Sequence, residues 1–354
     1  MTYPAPDVAS LGDLMTLSDS SLAPTYPLIT IAIPTFNRAT LLKGCVASAL
    51  SQTYPHLEVV VSNNASTDGT LSVLSEFDDA RLRVITQATN IGMHPNWNAC
   101  LANAKGDYIV FVSDDDRIAP TFLEQCTRLI RQQPQLPIVI ALSNIHAAAL
   151  QRTKPAHTSR FHDTGVWNGT EILTDFLTDQ TTVAVCSVMM RTDLLRARGG
   201  YPLDLPHTAD VACWAPLLLL GKAGFVNEAC ATFTYHSQSA TARLGVELLL
   251  RDGRAVADLI AQTAETHVAD PQQRRTIQIE ARRHFARRGL TALSDYRSSG
   301  GGIQELFNVL WQFRHDLSNV SVKAVLRFLA VVLCPQPLAT QLRQLRYSIQ
   351  ERLA

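Results

Sequence analysis

"LITIAIPTFNRATLLKGCVASALSQTYPHLEVVVSN", residues 28–63, holds one complete strand–helix–strand unit. Its first seven residues form a short, β-branched apolar run ending at Pro34, the pattern of a buried strand. Apolar positions then take helical spacing through residues 39–52, and residues 57–63 return to a second apolar run. Two such runs joined by a helix read as a βαβ unit, with the strands parallel and the sheet covered on both faces.

The rhythm continues. Residues 68–77 and 96–104 read as helices, and residues 81–86 and 107–113 as strands. Residues 120–133 and 136–143 add a further helix and strand. The alternation predicts an α/β fold with a mostly parallel, Rossmann-like sheet flanked by helices. Ligands in such sheets bind beyond the carboxyl ends of the strands. Three loops fall there: "PTFNR" (34–38), "SNNASTDGT" (62–70) and "SDDDR" (113–117). All three can face one cleft.

The third loop places Asp114, Asp115 and Asp116 directly behind an apolar strand. Adjacent carboxylates are hard oxygen ligands suited to Mg²⁺ or Mn²⁺, with phosphate oxygens completing the shell. The alternative is helix capping, since Asp before a helix also interacts favourably with its dipole. Neighbouring side chains on extended backbone point oppositely, so not all three need bind. The first two loops, taken alone, read equally as capped strand–helix turns. No G-x-G-x-x-G follows the first strand and no GKS or GKT occurs, which counts against a dinucleotide dehydrogenase and a P-loop NTPase.

Composition sets the outer bounds. A chain of 354 residues with 46% hydrophobic and 18% charged residues is that of a globular protein with one large core or two moderate ones. Seven scattered cysteines without a CxxC pair argue against a disulfide framework or zinc site and for a reducing compartment. The first basic residue is Arg38, so a secretory signal is not expected. No apolar run approaches the ~18 residues of a membrane span. The expected location is the cytoplasm.

Residues 28–130 as a whole, with "NIGMHPNWNACLANAKGDYIVFVSDDD" as their second signature, resemble family 2 glycosyltransferases of GT-A fold. The resemblance persists more weakly to about residue 241 through "CSVMMRTDLL", "HTADVACWAPLLL" and "YHSQSAT". It implies transfer of a sugar from a nucleotide diphosphate donor to an acceptor hydroxyl, with inversion. It places Pro34, Thr35, Asn37, Arg38, Asn63, Ser66, Asn90, Gly92, Asn96 and Asp114 around the nucleotide. Asn63 stands where the family usually has an aspartate, which leaves a UDP-sugar as the default donor and the base open. Asp115, with Asp114 and His236, becomes the Mn²⁺ or Mg²⁺ site, and Asp116 a supporting residue or cap. Asp210 matches the general base, Asp204 is its rival, and Cys186 and Cys213 read as core.

The expected organisation is a flexible tail over 1–26, a catalytic domain over 27–242 and a helical region over 243–354. That last region carries 16 Lys and Arg against 10 Asp and Glu, while residues 1–242 carry 15 against 21. Its Arg-rich amphipathic stretches read as a solvated face, as contact with anionic lipid on the inner face of the plasma membrane, or as a homo-oligomer surface. Aromatic residues do not interleave with the basic ones, so nucleic acid is not an expected partner. A glycan, lipid-linked or polymer acceptor fits a bacterial surface polysaccharide or cell-wall glycopolymer. The alternatives are an inactive relative that binds sugar nucleotides or acts as a scaffold, and a sugar nucleotidyltransferase. The latter would usually carry a Gly-rich first loop, which "PTFNRAT" lacks.

Overall fold

The computed structural model describes residues 26–147, 152–155, 163–235, 245–317 and 322–333, with the single residues Phe161 and Val320. The tail expected over 1–26 lies almost wholly outside them, and His236 lies outside them too. The first half alternates as expected: β1 (Ile29–Thr35), α1 (Ala39–Leu50), β2 (Leu57–Asn63), α2 (Thr70–Ser75), β3 (Leu82–Thr86), α3 (Met93–Asn103), β4 (Tyr108–Phe111). Helix α3 begins three residues before the expected Asn96. Pro95 falls in its first turn, where a missing N–H costs no intrahelical bond.

After β4 the chain changes character. β5 (Arg117–Ile118), α4 (Phe122–Gln132), β6 (Ile138–Ala147), β7 (Arg152–Pro155) and β8 (Gly165–Asn168) lead to α5 (Gly169–Leu177). β9 (Val188–Arg191), α6 (Thr192–Ala197), α7 (Ala209–Leu218) and β10 (Lys222–Tyr235) complete the sheet. Strand order is β3-β2-β1-β4-β9-β6-β10-β5, with β7 on β6 and β8 on β10. β3, β2, β1 and β4 are mutually parallel, and β9 enters antiparallel between β4 and β6. The sheet is therefore a parallel nucleotide-type half joined to a mixed half.

Alternation along the strands fills two cores. Ile109 and Phe111 of β4 face one, Tyr108 and Val110 the other. α1 and α4 cover the second face. The first face is covered by α3, α5, α6 and α7, and then by the helical region itself: α8 (Val246–His267) and α9 (Pro271–Ser298). Val256, Ile260, Ala264, Ile277 and Ala281 are fully or almost fully buried there, in the same cluster as Ile109, Phe111 and Trp214. The texture change near residue 243 thus marks a change of secondary structure, and the core runs through it. α10 (Ile303–Gln312), α11 (Arg314–Leu317) and α12 (Val322–Leu333) close a third cluster around Leu290, Leu306 and Phe313. Among the described residues no helix is long and apolar enough to cross a membrane.

Candidate functional site

The loops after β1, β2 and β3 are stitched side by side. Asn37, held at a positive φ of 53°, accepts a hydrogen bond from the Thr67 N–H at 2.8 Å and donates its own N–H to the Ser66 hydroxyl at 2.9 Å. Asp68 reaches back across the gap and accepts the Ala39 N–H at 3.1 Å, satisfying an orphan donor at the start of α1. Asn64 binds the next loop with both ends of its amide: Nδ2 donates to Asn90 Oδ1 at 2.8 Å, and Oδ1 accepts the Ile91 N–H at 2.9 Å. Gly92 turns the chain into α3 at φ 91°, a conformation open to glycine. Pro34, Thr35, Asn37, Arg38, Asn63, Ser66, Asn90 and Gly92 therefore belong to one contiguous rim.

Asn96 is the exception. Its Oδ1 accepts from the Ser62 hydroxyl at 2.7 Å and its Nδ2 donates to the Ser62 carbonyl at 2.9 Å, all buried. Its amide locks α3 to β2, so the structure shows Asn96 engaged with Ser62 rather than in the stitched loops.

Asn63 is wholly buried and half satisfied. Its Oδ1 accepts the Ser66 N–H at 3.1 Å, while Nδ2 finds no partner. A buried amide donor without an acceptor is costly, and at the tip of β2 it offers a hydrogen bond to whatever enters.

The acidic turn closes this rim at the end of β4. Asp116 N–H donates to the Ser113 carbonyl at 2.9 Å, giving a tight turn. Asp114 is nearly buried, and burial pushes its carboxyl up to about 7. The Thr35 hydroxyl, the Phe36 N–H and the Arg38 charge pull it down; the neighbouring Asp115 pushes it up. Arg38 thus brings positive charge from the first loop to bear on the third. Asp115 is the most accessible of the three carboxylates.

Asp116 is fully buried, with Oδ1 accepting the Thr234 N–H of β10 at 2.8 Å and Oδ2 unpartnered. Burial, then Asp115, raises its pKa well above the ordinary carboxylate range. It clasps the turn to β10 and caps no helix, a correction to the capping alternative. Buried Cys186 packs beside it.

Hard oxygen donors crowded so that the Asp115 charge pushes up the carboxyls of Asp114 and Asp116 fit a divalent cation, which would relieve that repulsion. Among the described residues no three His, Cys, Asp or Glu side chains form a ready metal cage. Asp115 and Asp114 would hold a cation together with ligand oxygens.

Asp210 occupies the first turn of α7, behind a Thr208 cap position whose side chain makes no cap bond. Burial raises its pKa, with the Val211 N–H and the Arg288 charge from α9 pulling the other way. Tyr201 links it to β4, the strand that leads into the acidic turn. Its ring packs edge-on to Phe111 at 4.8 Å and to Trp97 at 4.9 Å, and the Asp210 charge bears on its hydroxyl. Tyr201 is set by Asn98 of α3, which accepts its N–H at 2.8 Å and donates to its carbonyl at 2.9 Å. Gly200 before it has φ +74°, and a Cβ there would lie 2.4 Å from Asn98 Oδ1. The pair "GGY" was the available sequence signal for this contact, since two adjacent glycines mark a backbone turn. The rival Asp204 is exposed, and Cys213 is buried on α7 beside the Gly200 carbonyl.

Known proteins match this frame. Residues 30–196 match the family model described as glycosyl transferase family 2. The hyaluronan synthase of Pasteurella multocida is 27% identical over 240 residues, which is 66% of this chain and 23% of that protein. The chain therefore spans about a quarter of that synthase. A putative teichuronic acid biosynthesis glycosyltransferase, TuaG of Bacillus subtilis, is 32% identical over 101 residues, 28% of this chain and 40% of that one. Among solved structures, S. aureus TarS 1-349 in complex with UDP-GlcNAc superposes with a TM-score of 0.60 at 18% identity. That match covers 82% of this chain and 89% of that one. With its parallel half carrying the rim and acidic turn, the region 30–196 is of the glycosyl transferase family 2 kind, and the fold is GT-A-like.

Proposed function

We propose that the protein is an inverting, metal-dependent glycosyltransferase that moves a sugar from a nucleotide diphosphate sugar to an acceptor hydroxyl. The observation that carries this reading is the acidic turn: a buried Asp114 lifted to about 7, beside an accessible Asp115, inside a rim of loops stitched by Asn37, Ser66 and Asn64. The rim would take the nucleotide, with Arg38 near its phosphates. A divalent cation on Asp115 and Asp114 would supply charge to offset the departing diphosphate.

On the acceptor side, Asp210 takes the proton from the attacking hydroxyl. Its raised pKa suits that role, because a base closer to the operating pH transfers protons more effectively. The unpartnered Asn63 Nδ2 favours a base that presents an acceptor, as uracil does with its carbonyl oxygens. A UDP-sugar is the default donor. The named activities of similar proteins support a surface polysaccharide or cell-wall glycopolymer as the product.

The helical end supports attachment at an anionic membrane surface. Ile303, Phe307 and Trp311 share an exposed face of α10, and Arg314 lies over the Trp311 ring at 4.5 Å. Apolar rings beside a cation suit the lipid headgroup layer.

A thermal-shift screen of UDP-, GDP- and dTDP-sugars with and without Mn²⁺ tests the reading. Stabilisation by one nucleotide class that strengthens with Mn²⁺ is expected. Metal-independent stabilisation would remove Asp115 and Asp114 from the role given to them.

A further inference from the structure

We propose that Asp252, with Arg251, is a positioning residue that fixes the acceptor-side wall of the cleft from the helical region. Asp252 lies on α8, far outside the residues that match the family. Its carboxylate is fully buried. Oδ2 accepts the His207 N–H at 2.9 Å, and Oδ1 accepts from Arg251 Nε at 3.1 Å and Nη2 at 2.8 Å. The same Arg251 Nη2 donates to the Asp204 carbonyl at 2.7 Å. Two adjacent residues of α8 therefore grip both ends of segment 204–207.

That segment leads straight into α7. His207 precedes Asp210 by three residues, and the Thr208 side chain supplies no cap bond of its own. The entry angle of α7 is thus set by a carboxylate from another helix. Burying a carboxylate is expensive unless it is fully hydrogen-bonded, and an apolar side chain would fill the same space at lower cost. The three donors around Asp252 fix one geometry in return.

The Asp252 charge also reaches His94 in the first turn of α3, whose pKa burial lowers and Asp252 raises. His94 follows Gly92, at the end of the donor rim. Asp252 accordingly stands within reach of both walls, and the helical region becomes part of the cleft's construction. This inference rests on Asp210 as the acceptor-side base, since the clamp matters to turnover through the placement of that residue.

The test uses the full chain and the variants Asp252→Ala, Asp252→Asn and Arg251→Met. Three quantities are measured: amide exchange over 203–211, affinity for the nucleoside diphosphate with Mn²⁺, and nucleoside diphosphate release with water as acceptor. The donor is whichever of UDP-GlcNAc, GDP-mannose and dTDP-glucose stabilises the wild type most.

For Asp252→Ala, exchange over 203–211 is expected to rise by roughly tenfold or more as a charge-assisted bond is lost. Turnover is expected to fall about 10²-fold, the cost of a misplacement on the order of 1 Å. Nucleotide affinity stays at the wild-type value. Asp252→Asn, whose amide oxygen can still take the His207 N–H while its NH2 can no longer accept from Arg251, recovers part of both losses. If Asp252→Ala loses its cooperative thermal transition, Arg251→Met, altered at a half-exposed side chain, carries the same comparison with smaller changes.

Unchanged exchange over 203–211, or faster exchange with wild-type turnover, overturns the proposal. Wild-type turnover in Asp210→Asn would instead remove the base assignment while leaving the exchange result standing.

Discussion

Replacing Ile260 by alanine tests whether the helical region is an appendage or a wall of the catalytic unit. Ile260 sits mid-way along α8, has no exposed surface, and belongs to the cluster that contains Ile109, Phe111 and Trp214. Ile260→Ala deletes three carbons from a site enclosed by sheet, α7 and α9, where collapse is hard. The expected cost is about 2–5 kcal/mol, transfer and cavity terms together. With a urea dependence of about 3 kcal/mol/M, the unfolding midpoint drops by roughly 1 M. The assay is urea unfolding followed in parallel by tryptophan fluorescence, to which Trp97, Trp167 and Trp214 of the sheet's first-face cluster contribute, and by helical circular dichroism. One core predicts coincident transitions that shift together. Leu326→Ala on α12, an exposed position, should leave both within about 0.5 kcal/mol of wild type. Two separate transitions, with the tryptophan signal untouched by Ile260→Ala, would refute the single core.

Further outcomes are expected around Asp210, at Asn63 and on α10. Asp210→Asn should retain nucleotide affinity and lose about 10²–10⁴-fold in turnover. The proposed base role requires Asp210 deprotonated, and burial raises its pKa, so under that proposal activity in the wild type should fall away on acidification at a higher pH than for a free aspartate. Arg288→Met removes a charge that pulls this pKa down, and should move that acid limb of kcat/KM to still higher pH. Asn63→Asp keeps an acceptor for the Ser66 N–H but deletes the unpartnered donor, and should reorder the nucleotides in the thermal-shift screen; an unchanged order would dissociate Asn63 from the base. Replacing Phe307 and Trp311 together by alanine should abolish co-sedimentation with phosphatidylserine vesicles while leaving the unfolding midpoint in place, since both side chains are exposed. Retained co-sedimentation would remove α10 from membrane contact.

The parallel half of the sheet was legible because its signals are local. β2 coincides with the expected run 57–63, and the three loops at strand carboxyl ends do lie together, Asn37 bonded to Ser66 and residues 35–38 acting on Asp114. The mixed half was not legible, because partner strands define it. β5 is two residues long and exists through its pairing with β10. β9 is four residues inserted antiparallel, with nothing in "VMMR" to announce its neighbours. β10 carries register shifts between Val226 and Ala231 that interrupt its alternation. At the site, spacing placed Asn96 correctly on α3 but could not show that Ser62 occupies its amide. Helix patterns over 247–296 showed amphipathic faces without naming what those faces bury.

On the proposed assignment, the two walls of the cleft are built by different means. The donor wall is made by loops that follow consecutive strands, so short sequence motifs describe it, and it lies within residues 30–196, which match the family model. The acceptor wall depends on contacts between distant segments: Tyr201 on Phe111, Gly200 under Asn98, Asp252 under His207. All three contacts include a residue beyond 196, where the family match ends, and Asp252 stands on a helix of the terminal region. Changes in the helical region can then alter the geometry around Asp210 without touching a residue of the donor rim. Acceptor choice in this chain should accordingly respond to substitutions along α8 and α9, while nucleotide choice should respond to Asn63 and its loop. A screen in which α8 variants changed nucleotide preference and left acceptor preference fixed would contradict that division.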